Sequence, residues 1–136
     1  MNKIDRYLEF DDPTVSEFDL KVNEQFDIVD GLEQLDIKTV IEMPPELEID
    51  WSSAVPVYLS LFVNLDRDQV PYQISSKISS YFKVNDEISN VDALQILQTD
   101  AATILLSYLR PLVSMMTAAS GFPAMTLPMI DFNSED

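Results

Sequence analysis

The sequence predicts an α+β domain in which an antiparallel sheet is followed by one long C-terminal helix. Three observations support this: apolar and polar residues alternate over 55–84, a helical pattern covers 91–120, and the length of 136 residues is typical of one domain. Strands that precede a helix, without βαβ alternation, favour an antiparallel sheet. We therefore treat residues 1–136 as a single domain.

The first strand of the predicted sheet is long and interrupted. Residues 3–10 and 15–22 can form one strand that breaks at Asp12-Pro13. Proline has no backbone N–H to donate to a ladder, so this position suggests a sheet edge or a bulge.

An apolar crossover and a shorter strand follow. Residues 23–35 predict an irregular crossover, and residues 36–43 predict a strand that ends before Pro44-Pro45. The crossover contains more apolar side chains than a freely solvated loop would: Phe26, Ile28, Val29, Leu32 and Leu35. Either they pack on the protein's own core, or they form one wall of a groove that receives apolar side chains from a partner.

The most regular part of the sequence predicts a hairpin. Residues 55–65 place apolar side chains at every second position, and residues 70–84 do so again after the turn Asp66-Arg67-Asp68. Polar residues occupy the positions between, which is typical of antiparallel strands with one solvated face.

The helix is predicted over 91–120, with Asp92 as its N-terminal cap and Gly121 followed by Pro123 as its stop. Residues 101–119 are apolar nearly all round, so a single sheet face cannot cover them. We therefore expect a second subunit on the other side. Arg110, the last cation of the sequence, needs carboxylates or carbonyls near it and is expected to hold a subunit contact or the Asp131 region.

The composition argues against several function classes. There is no cysteine or histidine, which removes thiolate chemistry and the commonest general base and transition-metal ligand. Only two glycines occur, too few for a glycine-rich phosphate loop. We expect no catalytic residue, no metal and no cofactor. The acidic clusters, which lack calcium-loop spacing, are interpreted as solvated edges: Asp11-Asp12, Glu17-Asp19 and Glu46-Glu48-Asp50.

The net charge of −16 repels nucleic-acid backbones and favours basic partners. The N-terminus lacks the apolar core of a signal peptide, and no run of about 18 uncharged apolar residues occurs. We expect a cytoplasmic protein that does not insert into a membrane.

The segment Leu97–Phe132, LQTDAATILLSYLRPLVSMMTAASGFPAMTLPMIDF, resembles the C-terminal half of the SecB-type export chaperones. In that family a helix with an Ile-Leu-apolar-x-Tyr-x-Arg motif ends in glycine, and Phe-Pro, alternating apolar residues and a closing Asn-Phe follow. Here the motif starts at Ile104, the glycine is Gly121, and Asp131-Phe132 closes the segment. The order of the upstream elements also agrees with the family.

The resemblance implies a four-stranded antiparallel sheet with the long helix packed on one face and an extended C-terminal ribbon. It implies an ATP-independent chaperone, or holdase, without catalytic activity. Such proteins form dimers or tetramers, hold non-native polypeptides or preproteins in apolar grooves, and pass them to the SecA motor.

The implied site residues fall in three groups. Client binding is assigned to Phe26, Ile28, Leu32, Leu35, Phe122, Met125 and Leu127. Contact with a partner such as SecA is assigned to Glu17, Asp19 and Glu24. The oligomer interface is assigned to Tyr108, Arg110, Leu112, Met115 and Met116.

Two departures from the family pattern leave alternatives open. Family members usually continue with a second amphipathic helix, whereas this sequence ends at Asp136, and Ser75 stands where a Glu is expected. One alternative is a chaperone dedicated to a single client, such as the antitoxin of a toxin–antitoxin system. Another is an oligomeric interaction module without general chaperone activity.

Overall fold

The computed structural model describes residues 2–4, 7–27 and 35–132, and side chains from residue 7 onward in these ranges. They form six strand segments, one turn of 3-10 helix at Glu46–Glu48 and one α-helix. The strands are β1 (Asn2–Ile4), β2 (Leu8–Phe10), β3 (Thr14–Val22), β4 (Ile37–Glu42), β5 (Val55–Val63) and β6 (Tyr72–Val84); the helix is α1 (Asn90–Ala118).

All described strand pairs are antiparallel, in the order β1-β2-β6-β5-β4, and β3 also pairs with β6. Strands β2 and β3 lie end to end along the same edge of β6, so they act as one long strand interrupted at residues 11–13. A bulge follows between Val15 and Glu17. The predicted α+β fold, with an antiparallel sheet and one long helix, is confirmed.

The prediction of a continuous strand over residues 3–10 is wrong. Strand β1 pairs with β2 in a hairpin, and only β2 pairs with β6. The reversal places Tyr7 beside the helix, where its hydroxyl donates a 2.5 Å hydrogen bond to Asp100 Oδ2. Alternation alone cannot distinguish a strand that continues from one that folds back, because both have the same period.

The core lies between the sheet and α1, which packs across β5 and β6. Alternate residues of both strands point toward the helix, as the sequence predicts. The helix presents to the sheet a row of buried side chains that recur about every four residues. The largest fully buried side chains include Leu59, Leu61, Ile74, Ile78, Phe82, Leu97, Leu105, Leu106 and Leu109. Each contributes about 1.5–3 kcal/mol relative to an exposed position.

The ends of α1 differ slightly from the prediction. The N-terminal cap is Ser89 rather than Asp92, because the Ser89 hydroxyl accepts the Asp92 backbone N–H at 3.2 Å. Beyond the C-terminus, Gly121 has φ of 92°, and a Cβ there would meet no atom within 4 Å. The left-handed backbone rather than lack of space therefore favours glycine.

By length and composition alone, α1 is long and apolar enough to cross a membrane. Its buried side chains pack against the sheet, as those of a core helix do.

Candidate functional site

An apolar pocket opens where three segments meet: the end of the crossover, the β5–β6 turn, and the ribbon that follows α1. Its volume is about 250 Å³. The lining residues are Leu35, Asn64, Gln69, Val70, Pro71, Tyr72 and residues 123–126. An engineered cavity of about 150 Å³ accommodates benzene, so this pocket has room for one aromatic or large aliphatic side chain.

Polar side chains of α1 hold the ribbon, residues 122–132, through its backbone. The Met125 N–H donates to Thr117 Oγ1 at 2.8 Å, and the Ser114 hydroxyl donates to the Met125 carbonyl at 2.9 Å. Further along, Arg110 Nε donates to the Leu127 carbonyl at 2.8 Å. Positions 110, 114 and 117 share one helix face, so the ribbon runs along a polar stripe on an apolar helix.

The ribbon alternates between the core and the surface over residues 124–128. Met125 is 4% exposed and Leu127 has no exposed surface, whereas Ala124, Thr126 and Pro128 are exposed. The alternation ends at Met129, which is 63% exposed instead of buried. The predicted extended ribbon is therefore present, and its inward side chains belong to the core. Arg110 holds it through a carbonyl, one of the partners that the sequence led us to expect.

The crossover and the ribbon touch through two aromatic rings. Phe26 and Phe122 pack edge to face, with ring centroids 5.7 Å apart and planes at 72°. Both side chains are half-buried. At the other end of the crossover, Leu35 is 38% exposed in the pocket wall. Reciprocal hydrogen bonds between Asp36 and Asn64 fix the backbone next to it.

One side of α1 faces away from both the sheet and the ribbon. Met115 is 62% exposed and Tyr108 is 39% exposed on this side. Ile104 is half-buried and Pro111 is exposed. Within residues 7–27 and 35–132 this row is only partly covered: Tyr108 meets the ring of Phe10 in β2 edge to face, with centroids 6.4 Å apart, and Ile104 packs against the core.

The family model described as "Preprotein translocase subunit SecB" matches residues 34–134. The chain belongs to the SecB family. The resemblance carried by the Tyr-x-Arg and Gly-Phe-Pro motifs is therefore confirmed. No curated protein sequence is similar enough to count as a match.

Two solved structures share the fold of this SecB-family protein. One is the Mycobacterium tuberculosis SecB-like chaperone in complex with a ChAD peptide from the HigA1 antitoxin, with a TM-score of 0.64 and 15% identity over 93% of this chain and 89% of that one. The other is a protein of unknown function from Streptococcus agalactiae, with a TM-score of 0.50 and 16% identity over 89% of this chain and 96% of that one.

The structure brings together four of the seven residues assigned to client binding, of which Met125 is buried, and it also buries a fifth, Leu127. Phe26 contacts Phe122, and Leu35 shares the pocket wall with Met125. Leu127 lies in the core without exposed surface. Ile28 and Leu32 lie outside the described residues. A client in this conformation would meet Leu35 and the rim of the pocket rather than Leu127.

Of the residues assigned to the oligomer interface, Tyr108 and Met115 are the most exposed. Leu112, Met116 and Arg110 are half-buried. The two exposed side chains lie on the partly covered side of α1, so the interface assignment stays a prediction that fits this side best.

The acidic residues assigned to partner binding are exposed but do not form a purely acidic surface. Glu17 lies directly opposite Lys77 on the sheet face away from α1, and Asp19 lies opposite Ser75. Lys77 Nζ also lies 5.2 Å from the centre of the Tyr58 ring. Glu24 is exposed beyond the end of β3. This face of the SecB-family sheet carries charges of both signs.

Three ionisable groups in this part of the molecule have shifted pKa values, and each shift has a local cause. Burial raises the pKa of Tyr72 above its ordinary value, which keeps the phenol neutral. At the turn, Lys38 Nζ contacts Asp66 Oδ2 at 2.7 Å. This hydrogen bond raises the pKa of Lys38 and lowers that of Asp66. Among residues 7–27 and 35–132, no group of three carboxylates is placed to hold a metal ion.

Sequence reasoning missed the contribution of the β5–β6 turn to the pocket. Asn64, Gln69, Val70 and Pro71 line it, although the sequence pattern assigned positions 64, 70 and 71 to the hairpin strands and none of the four to a binding site. Val70-Pro71, an apolar pair beside a run of charged and polar turn residues, was the available signal.

Proposed function

We propose that this SecB-family protein is an ATP-independent holdase that binds non-native polypeptides, with no catalytic activity of its own. One observation carries the proposal: the crossover and the ribbon, assigned to client binding from sequence, meet around a pocket of about 250 Å³. Leu35 and the rim residues Pro123 and Ala124 give the pocket an apolar surface that a client side chain can cover.

Binding would combine a side-chain anchor with backbone pairing. Burying one large apolar side chain contributes about 1.5–3 kcal/mol, so several weak anchors would be needed along a client. Leu35 precedes β4 by two residues, and within the described residues β4 pairs only with β5. An extended client anchored at Leu35 could therefore add a strand to the free edge of β4.

The charge of the chain supports the same role. A net charge of −16 attracts basic segments at long range and keeps a loaded complex soluble. We propose a cytoplasmic protein that can pass clients to SecA, with Glu17, Asp19 and Glu24 as the contact. The lysines on the same sheet face would limit that contact to a partner surface of mixed charge.

Assembly into a dimer or tetramer would cover the exposed side of α1. Tyr108 and Met115 are the central residues of this proposed interface, because they are the most exposed of its members. A second copy would shield them from water and bring two pockets into one particle, which increases the avidity for a long client.

Suppression of client aggregation tests the holdase activity. A reduced, unfolded model protein is diluted into buffer with and without this protein, and light scattering is followed without nucleotide. We expect scattering to fall as the chaperone approaches stoichiometric amounts. Unchanged scattering at a stoichiometric excess would contradict the proposal.

A chaperone dedicated to one antitoxin is the second candidate. It is favoured by the fold shared with the M. tuberculosis SecB-like chaperone, whose structure contains a peptide from an antitoxin. If this gene lies beside a toxin–antitoxin pair, that antitoxin should bind at least about tenfold more tightly than a generic unfolded client. Equal affinities, or a gene without such a neighbour, would contradict this candidate.

A further inference from the structure

The ribbon carries a row of backbone groups on the side away from α1. In an extended chain the N–H and C=O groups of successive residues point in opposite directions. Those of Met125, and the carbonyl of Leu127, face the helix, because polar side chains of α1 bind them. The N–H and C=O groups of Ala124 and Thr126 therefore point the other way.

These outward groups are not paired within the part of the chain that the structure describes. Neither Ala124 nor Thr126 forms a backbone hydrogen bond with residues 7–27 or 35–132, and both residues are exposed. Their side chains are small, so they leave room for an approaching chain. Unpaired backbone groups on an extended segment are the template to which another strand adds.

The neighbouring residues limit this edge to two positions. On the same side of the ribbon, the Phe122 N–H already donates to Ser120 Oγ at 3.2 Å, and Pro128 has no N–H to donate. The available donors are the N–H groups of Ala124 and Thr126. Very short edges protect native proteins against sheet-to-sheet aggregation, yet two donors and two acceptors can align one extended chain.

The edge borders the apolar pocket of about 250 Å³. Ala124, Met125 and Thr126 all line this pocket, and Leu35 and Pro71 belong to its other walls. Residues that lie opposite each other on paired strands point their side chains to the same side. In a chain paired with the ribbon, the residue opposite Met125 therefore points its side chain inward, as Met125 does.

The wall that the β5–β6 turn contributes to the pocket is fixed by hydrogen bonds. Asn23 Nδ2 donates to the Val70 carbonyl at 3.2 Å, and the Asn23 N–H donates to the Pro71 carbonyl at 2.8 Å. Gln73 Nε2 donates to the Asn64 carbonyl at 3.1 Å. Because this wall is set before a client arrives, less entropy is lost on binding.

We infer that an extended segment of the client pairs through its backbone with the ribbon at Ala124 and Thr126, while its apolar side chain enters the pocket beside Met125. The inference rests on the proposed function, and it names a backbone partner for the side-chain anchor, in addition to the edge of β4. Main-chain hydrogen bonds do not depend on the client's sequence. Such pairing suits a protein that binds many different non-native chains.

The pairing predicts which amides of the client matter. In an antiparallel pair, hydrogen-bonded and non-hydrogen-bonded positions alternate. With Ala124 and Thr126 as the bonded positions, the anchor residue opposite Met125 is not bonded, and its two neighbours donate their N–H groups to the ribbon. In a parallel pair the anchor residue donates its own N–H instead.

Peptides methylated at single backbone nitrogens test the inference on the wild-type protein. The probe is an amidated peptide of polar residues with one central Phe, and the methyl group is placed on the Phe nitrogen or on that of either neighbour. NMR titration of the isotope-labelled protein measures the affinities. We expect about fivefold weaker binding where the methyl group replaces a donated N–H. The positions that lose affinity give the strand direction, and one affinity for all methylated peptides would overturn the inference.

Two variants at one position test the edge of the ribbon. Thr126→Pro removes one of the two donors from an extended segment, a conformation that proline adopts. Thr126→Ala keeps the N–H and is the control for the side chain. We expect about fivefold weaker binding of the unmethylated peptide to Thr126→Pro and wild-type binding to Thr126→Ala, with urea denaturation as the check on folding. Wild-type binding to Thr126→Pro, or an equal loss in both variants, would contradict the pairing.

Amide exchange with the reduced, unfolded client bound gives the position of the pairing directly. Exchange at Ala124 and Thr126 should become slower when the client binds. If exchange slows along β4 and not at these two residues, the inference is overturned while the holdase proposal stands. Failure of the client to bind, together with failure to suppress aggregation, would overturn the holdase proposal and this inference with it.

Discussion

The two long sides of α1 contrast in how far the monomer covers their apolar side chains. On the side facing the sheet, Leu105 and Leu109 have no exposed surface. About a quarter-turn round the helix, Met115 is 62% exposed, and Tyr108 is 39% exposed and packs edge to face on Phe10 of β2. The residue types are similar, so hydrophobicity alone does not reveal which side packs within the chain. The difference indicates that one side stabilises the domain, and the other is the side that the proposed assembly would cover.

The side facing the sheet should dominate stability. Leu105→Ala removes a fully buried side chain and leaves a cavity, so we expect the free energy of unfolding to fall by about 3 kcal/mol. Val91→Ala, at a position that is 74% exposed, should change it by less than about 0.5 kcal/mol. Urea denaturation measures both, and similar losses would contradict the described packing.

The outward side should control assembly. Met115→Glu places a charge in the proposed interface, which we expect to weaken self-association by more than about tenfold, because a buried unpaired charge is strongly unfavourable. Val91→Glu introduces the same charge on an exposed apolar residue of the same helix. Sedimentation velocity compares the two, and an unchanged mass distribution for Met115→Glu would remove this side from the interface.

The side that holds the ribbon lies between these extremes. Thr117→Val removes the hydroxyl that accepts the Met125 N–H, and a buried donor left without a partner costs about 1–3 kcal/mol. Thr103→Val is the matched control, since the Thr103 hydroxyl donates to a helix carbonyl, as that of Thr117 does, and forms no hydrogen bond to the described part of the ribbon. Amide exchange at Met125 should accelerate only in Thr117→Val. Equal exchange in both variants would rule out this anchor.

The smallest effect is expected at the N-terminus of α1. Ser89→Ala removes the capping hydroxyl and should lower the free energy of unfolding by about 1 kcal/mol. Asp92→Ala removes a first-turn carboxylate and should have the smaller effect of about 0.5 kcal/mol. Thermal denaturation of both variants distinguishes the cap from the residue predicted by sequence, and a larger loss for Asp92→Ala would favour the sequence-based assignment.

The β5–β6 hairpin and α1 were predictable because their patterns are local. Strict alternation over 55–63 and 72–84 gives one buried and one solvated face, and the glycine at 121 marks the end of the helical region. The sequence prediction placed the N-terminal cap of the helix at Asp92, about one turn after the actual cap, Ser89. The motif Ser89-x-x-Asp92 contained the signal, since a serine three residues before an acidic residue is typical of a helix start.

The β1–β2 hairpin and the position of the ribbon depend on distant contacts. Strand β2 pairs with the far end of β6, and Tyr7 contacts Asp100, 93 residues away in sequence. Likewise, the alternating Met125 and Leu127 predicted an extended ribbon, but their burial depends on Thr117, Ser114 and Arg110. No local pattern identifies such partners.

The candidate site was predictable in its two halves but not as a pocket. The apolar excess of the crossover and the ribbon pointed to Leu35 and Met125. Their proximity, and the part played by Val70 and Pro71, follow from how the β5–β6 turn is folded. Gln73 and Asn23 set that turn through hydrogen bonds to backbone carbonyls, which depend on geometry rather than on residue type.

Client binding by a matched pair of leucine variants tests the central claim most directly. Leu35 is 38% exposed in the apolar pocket, and Leu65 is 43% exposed at a different site beside Asp66. Leu35→Asp should weaken binding of an unfolded client by about tenfold, because a carboxylate in the pocket opposes apolar burial. Leu65→Asp, with the same charge and similar exposure, should bind as the wild type does. Equal affinities for the two variants would contradict the assignment of this pocket as the client site.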